Sequence, residues 1–425
     1  MENLVKEIKP VSKIRSEIRL PGSKSITHRA LIMAALADGP GRVRNPLQSE
    51  DTMLTAKALE QLGTQIERQE DAILVTPPQR RWHQPREPIF LGNSGTSTRL
   101  LIATASSGTG NFIFDGTARL RERPVGPVAE ALEAQGVKFR WVLNRGFPPV
   151  EIQACGLAGG DIAVNAAESS QFLSGLLLAA PTAREEVRIT WSEPVASFPY
   201  VSMTLGMMKN AGIRFERTAS NRITIPAPQV YASRDLTVEG DCSSASYFWG
   251  AAAVTGGEVF TAPVSRDSLQ GDRRFLEVLE KMGCRIAWET EGVRVLGPDR
   301  LDPVDIDMNE MPDMVPTLAV LAAFAAGTSR IYNVAHLRIK ESDRLQAVAC
   351  GLKILGIPVE ELRDGLVIRG GTAARPSGPI PSFEDHRIAM AFALAGLRLD
   401  GVSIAGAECV GKSFPDFWDY FERLG

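Results

Sequence analysis

Apolar and polar positions along the chain follow a pattern that repeats. Apolar residues at helical spacing, then a glycine, then a short alternating stretch appear at Ala58-Leu59-Glu60-Gln61-Leu62-Gly63-Thr64-Gln65-Ile66, and again at 131–139, 207–215, 278–286 and 351–359. Phe421-Glu422-Arg423-Leu424-Gly425 stands where a sixth such helix ends. Each segment predicts an amphipathic helix, a left-handed glycine at its C′ position and a following strand. The glycines (Gly63, Gly136, Gly212, Gly283, Gly356 and Gly425) lie roughly 70 residues apart, a supersecondary unit repeated six times and longer than ordinary solenoid repeats. Helix–glycine–strand is common in any α/β protein; the even spacing is what argues for repetition.

A second kind of helix precedes each of these, Ala/Leu-rich enough to be buried on nearly all sides. It is predicted over 30–37, 100–106, 172–180, 245–254, 317–326 and 388–397. Polar residues stand at or just before each start: Lys24/Ser25, Asn93/Ser94/Gly95, Ser169/Ser170/Gln171, Asp241/Ser243/Ser244, Asp313, and Asp385/His386/Arg387. Three repeats end near Thr237–Asp241 and three follow, with no Gly/Ser linker between, so any hinge is expected to be short. An extra strand over Ser16–Leu20 has no repeat of its own and can pair with either half. If each half has a local threefold, three helix N-termini converge in it. Two such halves facing each other form a positively polarised cleft.

That polarisation matters because the chain as a whole is not basic. Its formal net charge is −3, so affinity for anions must come from local clusters. No polybasic run with interleaved aromatics suggests nucleic-acid binding. No apolar stretch is long enough to predict a membrane span, and residues 1–20 have no long apolar core, which argues against a signal peptide; a cytoplasmic location is expected. The five cysteines (Cys155, Cys242, Cys284, Cys350, Cys409) are scattered, never in C-x-x-C spacing, and read as buried thiols in a reducing cytoplasm. The four histidines (His28, His83, His336, His386) lack metal-ligand spacing, so no metal is expected.

The clusters themselves are specific. In Leu20-Pro21-Gly22-Ser23-Lys24-Ser25-Ile26-Thr27-His28-Arg29, Pro21 and Gly22 break the chain, and Ser25 or Thr27 is expected to cap a helix that Gly39 ends. Two cations and three hydroxyls then crowd a helix start, where orphan N–H groups suit a phosphate or carboxylate. Arg338-Ile339-Lys340-Glu341-Ser342-Asp343-Arg344, Arg119-Leu120-Arg121-Glu122-Arg123-Pro124 and Asp385-His386-Arg387 add further cations at repeat loops. Each alone reads as a solvated helix start; together they favour an anion site. Asp313, between Met311-Pro312 and Met314-Val315, reads as a helix N-cap, as a desolvated carboxylate with a raised pKa acting as a base, or as both. Gly406-Ala407-Glu408-Cys409-Val410-Gly411-Lys412-Ser413 matches the P-loop pattern, but Pro415 follows and too little chain remains for the sheet such a loop needs. A nucleotide loop is not expected there, while Lys412 remains available to an anion.

The segments Pro21–Ser25, Gly92-Asn93-Ser94-Gly95-Thr96, Glu122-Arg123-Pro124, Ser169-Ser170-Gln171, Lys340–Arg344, Asp385-His386-Arg387 and Lys412-Ser413-Phe414-Pro415 occur in family order across nearly the whole chain. They resemble the 5-enolpyruvylshikimate-3-phosphate synthase family of enolpyruvyl transferases. The resemblance implies an α/β fold, a two-domain inside-out α/β barrel of six βαβαββ repeats, three per domain with pseudo-threefold symmetry. Residues 1–21 plus 239–425 would form one domain and 22–238 the other, with crossovers near 20–22 and 237–240 as the hinge. The implied reaction joins phosphoenolpyruvate to the 5-hydroxyl of shikimate 3-phosphate through a tetrahedral intermediate, releasing phosphate.

By that resemblance, Lys24, Ser25, Arg29, Ser169, Ser170, Gln171, Ser197, Tyr200, Asp313, His336 and Lys340 hold shikimate 3-phosphate. Lys24, Gly95, Arg123, Gln171, Glu341, Arg344, His386, Arg387 and Lys412 hold phosphoenolpyruvate, whose place glyphosate takes in this family. Asp313 is the implied base for the 5-hydroxyl, and Glu341 and Lys24 the implied carriers of the proton on carbon. No metal or cofactor, no nucleic acid and no membrane is implied, and a monomer is expected. The chain departs from the family at His336, where many members have Asn, and at Ser94, Thr98 and Leu100, where many have Ala, Met and Pro. Two alternatives stay open. UDP-N-acetylglucosamine enolpyruvyl transferases commonly carry a loop cysteine and an Asn after the first lysine, which this chain lacks. A non-catalytic anion-binding module would lack the carboxylate pair Asp313 and Glu341.

Overall fold

The computed structural model describes residues 4–79, 82–371 and 375–424. Gly425, the last glycine of the predicted rhythm, lies outside them. The chain divides into two compact units. One, here the continuous unit, is Lys24–Val238; the other, the split unit, takes the residues before 24 together with those from Glu239 onward.

One repeat of the continuous unit shows the construction. Strand Ile89–Phe90, helix Gly95–Ser106, strand Thr109–Asp115, helix Gly126–Glu133 and the hairpin of Lys138–Trp141 with Val150–Cys155 follow in order. The first two strands are parallel and joined through a helix, as parallel neighbours require. Val150–Cys155 then pairs antiparallel with Thr109–Asp115 and with Lys138–Trp141. Four further sheets have the same four-strand order, and a sixth has three strands among the described residues. This is the βαβαββ unit.

The repeats are completed out of sequence order. Leu236–Thr237, at the far end of the continuous unit, runs parallel to Gly41–Arg44 and supplies the first strand of its first sheet. Arg15–Arg19 runs parallel to Glu258–Ala262, so the pairing left open by the sequence falls to the split unit. Val5–Glu7 pairs antiparallel with Ser403–Ala405 and closes the three-stranded sheet.

In each unit the three apolar helices touch pairwise: Lys24–Ala35, Gly95–Ser106 and Ser170–Ala179 in one, Cys242–Thr255, Val315–Phe324 and His386–Gly396 in the other. Their burial on nearly all sides explains why they lack an amphipathic period; in Val315–Phe324 every residue but the last is buried. The glycines after the amphipathic helices all have positive φ, from +75° at Gly356 to +102° at Gly63, the conformation an L side chain disfavours.

Two local expectations fail at the first apolar helix. It begins at Lys24, so Ser25 and Thr27 lie inside it, and Thr27 Oγ1 instead accepts the Leu47 N–H at 3.0 Å. The reason is that backbone bonds from Ser23 N to Glu239 O (2.8 Å) and from Asp241 N to Pro21 O (2.9 Å) hold the chain up to residue 23 against the 239–241 segment. The helix ends at Ala35, short of Gly39, because Ala37 is drawn into a bridge with Tyr231 and Asp38 N donates to Tyr231 O. The other apolar helices start up to five residues before their predicted starts, at Gly95, Ser170, Cys242, Val315 and His386; at all but Val315 the first turn carries polar residues that read as loop. Ser94, Ser169, Asp241 and Asp385 cap four of them with side-chain acceptors.

Candidate active site

In the continuous unit, several of the side chains expected at the site lie at the N-terminal ends of the apolar helices. Lys24, the first residue of its helix, is nearly buried, and its Nζ lies 3.2 Å from Asp51 Oδ2. Ser169 caps the helix Ser170–Ala179, its Oγ accepting the Gln171 N–H at 3.2 Å, with Ser170 buried beside it. Gln171 is held at both ends, its Oε1 accepting from Arg99 Nη1 (2.8 Å) and its Nε2 donating to Thr96 Oγ1 (2.8 Å). Arg99 also donates from Nε to Pro124 O (3.0 Å) and lies 5.0 Å over the Phe172 ring. It therefore ties two helix starts to the loop that carries Arg123. Sequence reasoning missed it, although an arginine inside so apolar a helix was a signal.

Gly95 and Arg123 fit each other closely. A Cβ built on Gly95 would stand 2.6 Å from Arg123 Cζ and Nη2, while Arg123 Nη1 donates to Asn93 O at 2.8 Å. Only a residue without a side chain lets this buried guanidinium cross the helix start. Arg29 is the most internally committed of the expected ligands. It donates to Thr204 Oγ1 (2.7 Å), Ser25 O (2.9 Å), Ser174 Oγ (3.3 Å) and Tyr200 O (3.2 Å), which uses four of its five N–H groups. Burial, partly offset by Tyr200, lowers its pKa to about 10, so it remains a cation. Its bonds set the spacing between Ser25 and the first turn of the helix Pro199–Asn210, where Tyr200 sits. Ser197 stands apart: it holds φ at +58°, is 3 % exposed, and its Oγ has no hydrogen-bond partner. A strained backbone together with an unsatisfied buried hydroxyl makes Ser197 a candidate for ligand contact.

In the split unit the centre is Arg344, 1 % exposed at the start of the helix Arg344–Ile354. Its guanidinium reaches three carboxylates: Nε to Asp385 Oδ2 (2.8 Å), Nη1 to Asp313 Oδ1 (2.9 Å) and Nη2 to Glu341 Oε2 (2.8 Å). Arg387 Nη2 takes the other oxygen of Asp313 at 2.7 Å. Asp385, fully buried, also accepts from Ser342 Oγ (3.0 Å) and caps its own helix through the Arg387 N–H (3.0 Å). Buried His386 places Nδ1 3.9 Å from Asp385 Oδ1. Lys340 is half-buried and acts electrostatically on both Asp313 and His336. Lys412 ends a short 3₁₀ helix, Ala407–Lys412. A P-loop lysine would instead open its helix, so the match is a decoy. Asp385, legible in the sequence only as a polar residue at a helix start, is the anchor of Arg344.

Asp313 corrects the sequence reading. It lies in a 3₁₀ turn, Pro312–Met314, with no N-cap side-chain bond, and its carboxyl is not raised. Burial alone would push the pKa up, but Arg387, Arg344 and Lys340 outweigh it and hold it below the usual carboxylate range. His336 goes the other way: burial, helped by Lys340, lowers its pKa to about 3, so it is a neutral imidazole at physiological pH, with Nε2 unpartnered.

A depressed carboxylate pKa lends stability that is full above the unfolded value, about 3.9, and is lost as pH falls through the folded value. Thermal unfolding followed from pH 7 to pH 2 is therefore expected to show the Asp313 contribution intact at pH 5 and fading only below about 4. Asp313→Asn should flatten that acid limb. An unchanged limb in the variant would remove Asp313 as its source.

Among the described residues no cluster of three or more His, Cys, Asp or Glu side chains is placed to hold a metal ion. None of the described helices is long and apolar enough to cross a membrane.

Residues 8–421 match the family model described as EPSP synthase (3-phosphoshikimate 1-carboxyvinyltransferase). The 3-phosphoshikimate 1-carboxyvinyltransferase of Syntrophobacter fumaroxidans is 59 % identical over 99 % of both chains. That of Vibrio vulnificus is 40 % identical over 100 % of this chain and 99 % of its own. Among solved structures, EPSP synthase from Acinetobacter baumannii superposes with a TM-score of 0.82 at 31 % identity, covering 99 % of this chain and 98 % of that one.

Proposed function

The chain belongs to the EPSP synthase family and transfers the enolpyruvyl group of phosphoenolpyruvate to shikimate 3-phosphate; we propose that the side chains gathered at the helix starts of both units carry that transfer. The observation that carries the assignment is Arg344, which pairs with two carboxylates, Asp313 and Glu341, and with Arg387 and Lys340 keeps Asp313 ionised.

Shikimate 3-phosphate is held by Lys24, Ser25, Arg29, Ser169, Ser170, Gln171, Ser197, Tyr200, Asp313, His336 and Lys340. The unsatisfied Ser197 hydroxyl and the capped helix start at Ser169–Ser170 suit phosphate oxygens. Neutral His336 can offer or accept one hydrogen bond to a ring hydroxyl without adding charge. Phosphoenolpyruvate is held by Lys24, Gly95, Arg123, Gln171, Glu341, Arg344, His386, Arg387 and Lys412.

In the reaction C3 of phosphoenolpyruvate gains a proton and the 5-hydroxyl oxygen, losing its own proton, bonds to C2. The tetrahedral intermediate then expels phosphate as a C3 proton leaves. Asp313 takes the hydroxyl proton. Its low pKa makes it a weak base while two arginines grip it, but an anionic substrate competes for the same guanidinium groups and frees its oxygens. Glu341 and Lys24 serve the proton on carbon. The same reading makes the protein a monomeric cytoplasmic enzyme, in keeping with five unpaired cysteines. Only Cys242 and Cys284 are buried, contrary to the expectation for all five, because Cys155 lies at the exposed end of its strand and Cys350 and Cys409 on partly covered faces.

Inorganic phosphate should be released from phosphoenolpyruvate only when shikimate 3-phosphate is present, with chelator added and no metal. Release driven by UDP-N-acetylglucosamine would overturn the acceptor assignment, and no release with either acceptor would leave only an anion-binding module.

A further inference from the structure

Tyr247 takes no part in the assignment above, yet it lies in the same site. It sits on the apolar helix Cys242–Thr255, which packs against both Val315–Phe324 and His386–Gly396, the helices that follow Asp313 and begin next to Asp385. The side chain is 1 % exposed, and its ring meets Phe417 edge-on at 5.6 Å between centroids. Phe417 and the helix backbone therefore fix where the phenol points.

The hydroxyl makes no hydrogen bond of full geometry, although the Arg387 guanidinium stands close enough to donate toward its oxygen and the charges of Arg344 and Asp313 reach it. Burial, against the pull of the two arginines, pushes its pKa up to about 12, so it carries its proton at physiological pH. A guanidinium has only N–H donors and cannot take that proton. The phenol proton is thus buried with no acceptor in hydrogen-bond geometry, an arrangement that costs stability. Such a group is stabilised where a ligand completes it.

We propose that Tyr247 is a further phosphoenolpyruvate-binding residue, its O–H sharing one anionic oxygen of that substrate with the Arg387 guanidinium. This rests on the reading of Arg387 as a phosphoenolpyruvate ligand. A charge-assisted bond from a preorganised phenol adds affinity for the anion and none for the shikimate ring. It also explains why the position holds a tyrosine where a phenylalanine would fill the same apolar space at lower cost.

Tyr247→Phe separates binding from packing, because it removes one oxygen and leaves the ring. The variant is expected to raise KM for phosphoenolpyruvate roughly tenfold, about 1.4 kcal/mol. KM for shikimate 3-phosphate should stay within twofold of wild type, and Tm should be unchanged or higher, since an unsatisfied hydroxyl has gone. An unchanged KM for phosphoenolpyruvate would overturn the proposal. So would a fall in Tm accompanied by equal rises in both KM values, which would make the phenol a packing group. Absence of any turnover in the wild-type protein would remove the parent reading and this one together.

Discussion

Asp313→Asn is expected to lower kcat by roughly 10²–10⁴-fold, the usual worth of a positioned general base. The substitution keeps shape and one acceptor oxygen, so the introduced amide can still accept from one of the two arginines that Asp313 meets, Arg344 at 2.9 Å and Arg387 at 2.7 Å. Its NH₂ group then opposes the other guanidinium, donor against donor. Arg344 keeps Asp385 and Glu341 as partners, so the site should remain assembled. Circular dichroism and Tm would establish that the fold survives, and single-turnover rates would read the chemical step. A kcat within threefold of wild type, in a folded variant, would take the base role away from Asp313.

Lys24→Met should lower kcat by roughly 10²–10³-fold, the scale seen when one preorganised electrostatic partner of the transition state is lost. It has a second effect. Asp51 is almost fully buried 3.2 Å from Lys24 Nζ, and losing this cation from a buried pair costs at most about 3–5 kcal/mol. A lower yield of folded protein could then pass for lost catalysis. Adding Asp51→Asn removes the uncompensated charge, so the double variant should regain most of the lost stability and none of the turnover. Recovery of turnover in the double variant would show that Lys24 serves the fold rather than the reaction.

Repeat architecture was legible because backbone conformation constrains residue type strongly. A helix that must end in the left-handed region selects glycine, and Gly63, Gly136, Gly212, Gly283 and Gly356 all adopt it. The apolar helices were legible for the opposite reason, an absence of amphipathic period. Their starts were not, since the first turns at Gly95, Ser170 and His386 are made of polar residues that also read as loop.

The electrostatics of the site were the least legible part. Asp313 sits among apolar neighbours in sequence, which suggested desolvation and a raised pKa. The cations that reverse this lie 31 and 74 positions away, at Arg344 and Arg387, and only the fold brings them in. Arg99, Asp51 and Tyr247 escaped for a related reason, being polar groups inside buried or partly buried helices whose neighbours Gln171, Lys24 and Arg387 are distant in sequence. Local sequence reports what a residue is, while its protonation depends on what packs against it.

The strand that completes the split unit's first sheet has a consequence for synthesis. Arg15–Arg19 leaves the ribosome early, but its parallel partner is Glu258–Ala262. The continuous unit, by contrast, has its closing strand, Leu236–Thr237, within its own span. At 5–20 residues per second the N-terminal strand waits roughly 10–50 seconds for its partner. During that interval one half of the protein can fold to completion while the other exists only as a tethered segment. Nascent-chain assembly therefore runs from the middle outward, and the exposed edge of that early strand is where a chaperone has most to protect.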